Sequence, residues 1–235
     1  MKRSLPLLII LFSGLSGCLD DPDPAPPVQD PIRSYFILYN FLTEPYEIDW
    51  ELDGILVEEG HSYGDAVLGF TSLDTALQEI SYTISSSDGS RLLKEGFLNM
   101  EENQYYLLAF MGTENEPVLL QEPMDLIPPP YGNVRLRLMH TIPGLDALDL
   151  YIGGQSEEFR ADSGISYGTV TGYLECSRER IWNSLEVTPQ DISPEDSTLF
   201  SFSQNNIFYS RRIYLGIIRY ASSDSTSSLR LLFYD

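Results

Sequence analysis

The chain has 235 residues, with 35 Asp and Glu against 14 Lys and Arg, a formal net charge of −21 and a pI near 4.2. That charge excludes nucleic acid as a partner, because such affinity rests on Lys and Arg neutralising phosphates, and an anionic membrane surface repels it for the same reason. Two histidines and two cysteines exclude a zinc cluster or a disulfide framework, while 43% apolar residues mark a globular chain rather than a disordered one.

The first residues read as an export signal. Lys2 and Arg3 precede the apolar run Leu5–Phe12, which is too short to span a bilayer as a helix, and small residues follow in Leu15-Ser16-Gly17-Cys18. That last tetrapeptide resembles a bacterial lipobox. The resemblance implies cleavage before Cys18, so that residues 1–17 are a signal peptide, and acylation of Cys18. More than one acyl chain anchors stably, at about 0.8 kcal/mol per buried methylene. The expected location is therefore the bacterial cell envelope, lipid-anchored, at the outer membrane on its periplasmic face or at the cell surface. Residues 18–32 follow as a tether, its stretch LDDPDPAPPVQDP being stiffened by proline and acidic.

From Arg33 onward short aromatic and β-branched runs alternate with turns: SYFILYNF, EIDWEL, EISYTI, RLLKEGFL and NQYYLLAFM, then NVRLRLMH, ALDLYI, YGTVTGYLE, TLFSFS, RRIYLGIIRY and SLRLLFYD. Ser86-Ser87-Asp88-Gly89 is a hairpin turn, since Asp-Gly readily supplies positive φ. Thr71–Ile80 has room for one or two helical turns. Val134, Leu136 and Leu138 alternate with Arg135 and Arg137, the pattern of a half-buried strand. An offset of about 100 residues aligns Phe36 with Leu136, Asn40 with His140, Asp49 with Asp149 and Gly54 with Gly154. Ser62-Tyr63-Gly64 recurs as Ser166-Tyr167-Gly168. The expected fold is all-β, with two tandem immunoglobulin-like β-sandwiches over 33–127 and 133–235, about seven strands each, joined by a semi-rigid Pro-rich linker at 128–132.

The stretch Arg135-Leu136-Arg137-Leu138-Met139-His140, with Pro143 and Leu148-Asp149-Leu150-Tyr151-Ile152-Gly153-Gly154, resembles the opening of the domain of unknown function 4397 family. Gly172-Tyr173 and Tyr214-Leu215-Gly216-Ile217 extend the match, as do Gly69-Phe70 and Tyr106–Gly112 in the first unit. Asn40 departs where the family has His, and Cys176–Arg180 departs where it has a Pro-Gly turn. The resemblance implies a secreted or envelope-attached sandwich and transfers no catalytic residue.

Several constellations invite chemistry. Gly60-His61-Ser62-Tyr63-Gly64 matches the Gly-x-Ser-x-Gly nucleophile elbow, and Ser62, Asp125 and His140 follow in hydrolase order. The second copy at Gly164–Gly168 has no histidine after it, and no βαβ alternation surrounds either, so a shared turn explains both. His140 with Asp146 and Asp149 is a candidate metal site, yet Asn40 at the matching position suits a loop hydrogen bond better. Asp49 and Asp149 suit bonds to nearby loop N–H groups. The pairs Glu58-Glu59, Glu101-Glu102 and Glu157-Glu158, with Asp162, offer oxygens for calcium without the Asp-x-Asp-x-Asp-Gly spacing of a loop site. Cys176 is left single; Arg178 and Arg180 are near enough in sequence to lower its pKa, but a half-buried, inert thiol is the simpler expectation. The function these residues support is non-catalytic binding or scaffolding by a lipid-anchored envelope protein with no cofactor and no metal, its partner an envelope protein or a glycan. A serine hydrolase using Ser62 and a calcium-stabilised adhesion module are the alternatives.

Overall fold

In a computed structural model, residues 31–43, 47–202, 208–221 and 226–234 are described. Cys18 and the tether lie outside them. The first half forms eight strands: β1 (Ile32–Leu42), β2 (Ile48–Leu52), β3 (Ile55–His61), β4 (Ala66–Leu73), β5 (Leu77–Ser86), β6 (Leu92–Glu101), β7 (Tyr105–Gly112) and β8 (Pro117–Met124). The second half repeats them as β9 (Asn133–His140), β10 (Leu148–Ile152), β11 (Arg160–Ile165), β12 (Leu174–Ser177), β13 (Leu185–Pro189), β14 (Phe200–Phe202), β15 (Ile213–Ala221) and β16 (Thr226–Tyr234). The molecule is all-β in two sandwiches, with eight strands apiece among the described residues where about seven were expected.

The two sandwiches share one topology. Sheets β4-β1-β7-β8 and β3-β2-β5-β6 enclose the first core, and sheets β12-β9-β15-β16 and β11-β10-β13-β14 enclose the second. In each, the first strand pairs in parallel with the seventh, Tyr35 opposite Tyr105 and Arg135 opposite Ile213. Trp50, Ile80, Leu98 and Phe110 fill the first core; Leu136, Leu150, Val187 and Phe208 fill the second.

A third core joins the sandwiches. Side chains alternate across a strand, so Phe36 and Leu38 of β1 point into the first core while Ile37, Tyr39 and Phe41 point the other way. Those three, with Leu107, Ala109 and Met111 of β7, pack on Met139 of β9 and on Leu215 and Ile217 of β15. A sheet covered on both faces needs strands apolar at nearly every position, which is what SYFILYNF and YYLLAFM supply. Pro31–Asp235 accordingly clusters as one unit.

Three local expectations change. Arg135 and Arg137 do not face water; their side of β9 is the seam between the sandwiches, and Arg137 is 8% exposed. Thr71–Ile80 holds no helical turn, being the end of β4, a bend at 74–76 and the start of β5. The one α-helix among the described residues, α1 (Arg178–Asn183), stands within the Cys176–Arg180 departure and its continuation. Ser177 caps it by accepting from the Arg180 N–H at 3.2 Å, and Ile181 is buried beneath it.

Candidate functional site

Asp49 and Asp149 sit at the same place in the two sandwiches. Each faces a bulge, where Glu59-Gly60 and Ser163-Gly164 crowd opposite one residue of the neighbouring strand. Gly60 and Gly164 take φ of +67° and +66°, a region that favours glycine. Asp49 Oδ1 accepts from the Gly60 N–H at 2.8 Å, and Asp149 Oδ1 from the Gly164 N–H at 2.9 Å. Asp149 is buried and does more. Its Oδ2 accepts from the Asp191 N–H at 3.0 Å and lies 3.4 Å from Arg160 Nη1.

Gly54 and Gly154 diverge. Asp53 and Gly54, at φ +48° and +72°, make a two-residue hairpin between β2 and β3. In the second sandwich a longer loop containing the 3-10 turn Glu157–Phe159 replaces it. Gly154 is needed there because the Phe159 ring lies where a Cβ would stand.

The two Gly-x-Ser-x-Gly copies are one turn used twice, each feeding a strand pair and not a helix. Gly64 and Gly168, at φ +77° and +76°, donate their N–H to the carbonyls of Asn40 and His140 at 2.7 and 2.9 Å. The Ser62 hydroxyl has no hydrogen-bond partner among the described residues. Neighbouring His61 is buried and engaged at both nitrogens: Trp50 Nε1 donates to its Nδ1 at 3.1 Å, and its Nε2 lies 3.1 Å from the Asp65 carbonyl. Asp125, the acid in the hydrolase order, belongs to the seam, where Arg135 and the Ile127 N–H hold it.

His140 and Asn40 are equivalent in geometry. Asn40 Oδ1 accepts from the Leu42 N–H at 3.1 Å, and His140 Nδ1 accepts from the Ile142 N–H at 3.2 Å. The other nitrogen of His140 lies 3.4 Å from the backbone carbonyl of Asp146, not its carboxylate. Burial pushes the pKa of both His61 and His140 down, so the rings are neutral in the folded chain near pH 7. Among the described residues no three His, Cys, Asp or Glu side chains are grouped to hold a metal.

The remaining candidates are scattered. Glu58 and Glu59 lie on β3, Glu101 ends β6 with Glu102 in the turn beyond, and Glu157 and Glu158 lie in the 3-10 turn, where Glu157 pairs with Arg160. Asp162 accepts from the Ser163 N–H at 2.8 Å. Cys176 packs against the second core, and burial pushes its thiol up to about 11, outweighing the opposite pull of Arg180.

Sequence reasoning missed the seam. A groove of about 750 Å³ opens there between Gln104, Tyr105, Glu122, Met124, Ile127 and Tyr173. Arg135 and Arg137 lie over the Tyr173 ring at 4.2 and 4.7 Å from its centroid. Arg137 donates to the Thr171 carbonyl at 2.8 Å, to the Pro123 carbonyl at 3.3 Å and to Glu122 at 3.1 Å. The Ile127 N–H, and next Arg135 at 2.9 Å, hold the Asp125 carboxyl below the usual range. The walls of the groove are thus bonded to each other, a clamp across the linker. Its signal in the sequence was two arginines on the far face of a strand whose parallel partner, β15, is apolar on both faces.

No family model matches the chain, and no curated protein matches it. Two solved structures align over most of it. One is a provisionally assigned cell adhesion protein from Bacteroides uniformis, at 12% identity over 86% of this chain and 98% of that one, with a TM-score of 0.23. The other is the tip fimbrial protein Mfa3 from Porphyromonas gingivalis with a C-terminal truncation, at 7% identity over 86% and 99%, with a TM-score of 0.26. Likeness at these scores carries no argument about what this chain does.

Proposed function

We propose that the chain is a lipid-anchored cell-envelope protein that binds or scaffolds rather than catalyses, of the tandem kind its resemblance to the domain of unknown function 4397 family implies. The observation that carries this reading is Leu15-Ser16-Gly17-Cys18 behind a cationic start and a short apolar run, followed by a proline-rich acidic stretch. No helix among the described residues is long and apolar enough to cross a membrane. The body supports a binding role through what its polar residues do. Asp49, Asp149, His61, His140, Arg135 and Arg137 are engaged in holding turns, bulges and the seam, and Ser62 stands beside a histidine with both nitrogens committed.

The test is fractionation of cells expressing the full chain. Wild type is expected in the membrane fraction, carrying radiolabelled palmitate. Cys18→Ala is expected without label and released from the membrane. A Cys18→Ala protein that still sediments with membranes overturns the anchor. A fluorophosphonate probe that labels wild type but not Ser62→Ala overturns the non-catalytic reading.

A further inference from the structure

We propose that the free edge of β4 is a docking site for an extended segment of another protein, which adds to the sheet as a fifth strand. The segment carries apolar residues at alternate positions and Lys or Arg flanking them. This deepens the binding role above and rests on it.

An unpaired edge templates further strands unless it is short, charged, interrupted by proline or bulged. The four sheets have eight edges among the described residues, and seven carry such a device. β8 has Pro117, Glu122 and Pro123; β6 has Lys94, Glu95 and Glu101. β3 has Glu58 and Glu59 with a bulge, and β11 has Arg160 and Asp162 with a bulge. β12 is four residues long and contains Glu175, β14 is three residues long, and β16 carries Arg230.

β4 has none of them. Its eight residues, AVLGFTSL, contain no charge and no proline. They pair with β1 in unbroken register from Leu73 opposite Ile32 to Ala66 opposite Tyr39. On the sheet face it shares with Ile37, Leu68 is 78% exposed and Phe70 52%, the Arg33 guanidinium lying 4.6 Å from the Phe70 centroid. Leu68 stands opposite Ile37, whose side chain lies in the third core. The apolar face that grips the second sandwich therefore runs out onto β4, where among the described residues no further strand covers it. Strand addition suits this surface, because main-chain hydrogen bonds hold the incoming segment while alternate side chains meet Leu68 and Phe70.

Charge selects the occupant. Asp65 and Asp74 bracket β4, and the whole chain carries −21. Antiparallel pairing of two copies about the middle of β4 would bring Asp65 of each toward Asp74 of the other, and like charges facing each other destabilise a strand pair. The acidic, proline-rich stretch Leu19–Pro31 meets the same repulsion, and its prolines lack the N–H that a ladder needs. A segment with basic flanks meets both aspartates favourably.

The test is selection from a displayed library of random peptides about a dozen residues long, against the full-length protein in detergent micelles. Enriched peptides should alternate apolar and polar residues with Lys or Arg at the ends, and should protect from hydrogen exchange the alternate amides of 66–73 that point away from β1. They should bind Leu68→Lys and Phe70→Lys at least about tenfold more weakly, since an edge lysine blocks addition and repels basic flanks. Both positions are exposed; unchanged exchange in β1 and β7 certifies that the variants are folded. No enrichment, or binding that the variants leave unchanged, overturns the proposal. A concentration-dependent dimer abolished by Leu68→Lys assigns the edge to a second copy and also overturns it. Failed selection with Cys18→Ala still released overturns the edge alone; successful selection with Cys18→Ala still membrane-bound overturns the anchor alone.

Discussion

Asp49 and Asp149 hold equivalent bulges at different depths, and the difference is measurable. Asp49 is half-buried and accepts one backbone bond there, whereas Asp149 accepts two and adds Arg160. Hydrogen bonds to a buried charge contribute about 1.5–3 kcal/mol each and orphaned donors cost more. Arg160 is partly solvated, so its share is small. Asp149→Ala is expected to lower stability by about 3 kcal/mol and Asp49→Ala by about 1 kcal/mol in urea titration. The two histidines give a pH signature. Burial lowers both pKa values below the ordinary histidine value of about 6.5, so below that pH the unfolded chain binds protons that the folded chain does not. Their neutral-state stability is fully present above the unfolded pKa and is lost as pH falls below it, toward the folded pKa values, by up to about 1.4 kcal/mol per pH unit per histidine. His140→Asn puts in the side chain that serves at position 40. It should cost little near neutral pH and flatten the decline in urea midpoint between about pH 6.5 and pH 5.

At the scale of the strand, one face is legible and the other is ambiguous. VRLRLMH alternates, and its apolar face is the core face, as the period of two requires. Its arginine face looked solvated because charge on alternate positions is the usual sign of water. Here Arg137 donates to the Thr171 carbonyl of its own sandwich and reaches across the seam to the Pro123 carbonyl and the Glu122 carboxylate. Arg137→Ala leaves those acceptors without their donor and uncovers Tyr173, and should cost about 2 kcal/mol in chemical denaturation. The repeat is legible at this scale too, since Asn40 and His140, or Gly60 and Gly164, perform equal tasks at near-equal spacing. The strand order is not. Nothing local says that β1 lies parallel to β7, because that pairing closes a gap of about 70 residues and rests on contacts, not on turns.

For the whole molecule the third core decides behaviour. Two sandwiches on a flexible linker would melt independently; these share Ile37, Phe41 and Met111 with Met139, Leu215 and Ile217. The intact chain should show one cooperative calorimetric transition. Leu215→Asp, which puts an unpaired charge into that shared layer where the wild-type side chain is 3% exposed, should split it into two. The sequence by itself determined most of the strands, their apolar alternation, the Ser86–Gly89 turn between β5 and β6, and the twofold internal repeat. Each of those is set by neighbours a few residues apart, through side-chain alternation or the positive φ that glycine allows. Only the tertiary structure decided the strand order, the burial of Arg137, the seam that fuses two sandwiches into one body, and the bare edge at β4. Those depend on which surfaces meet, and a strand buried on two faces has the same local chemistry whether its second face meets a sheet from its own domain or one a hundred residues away.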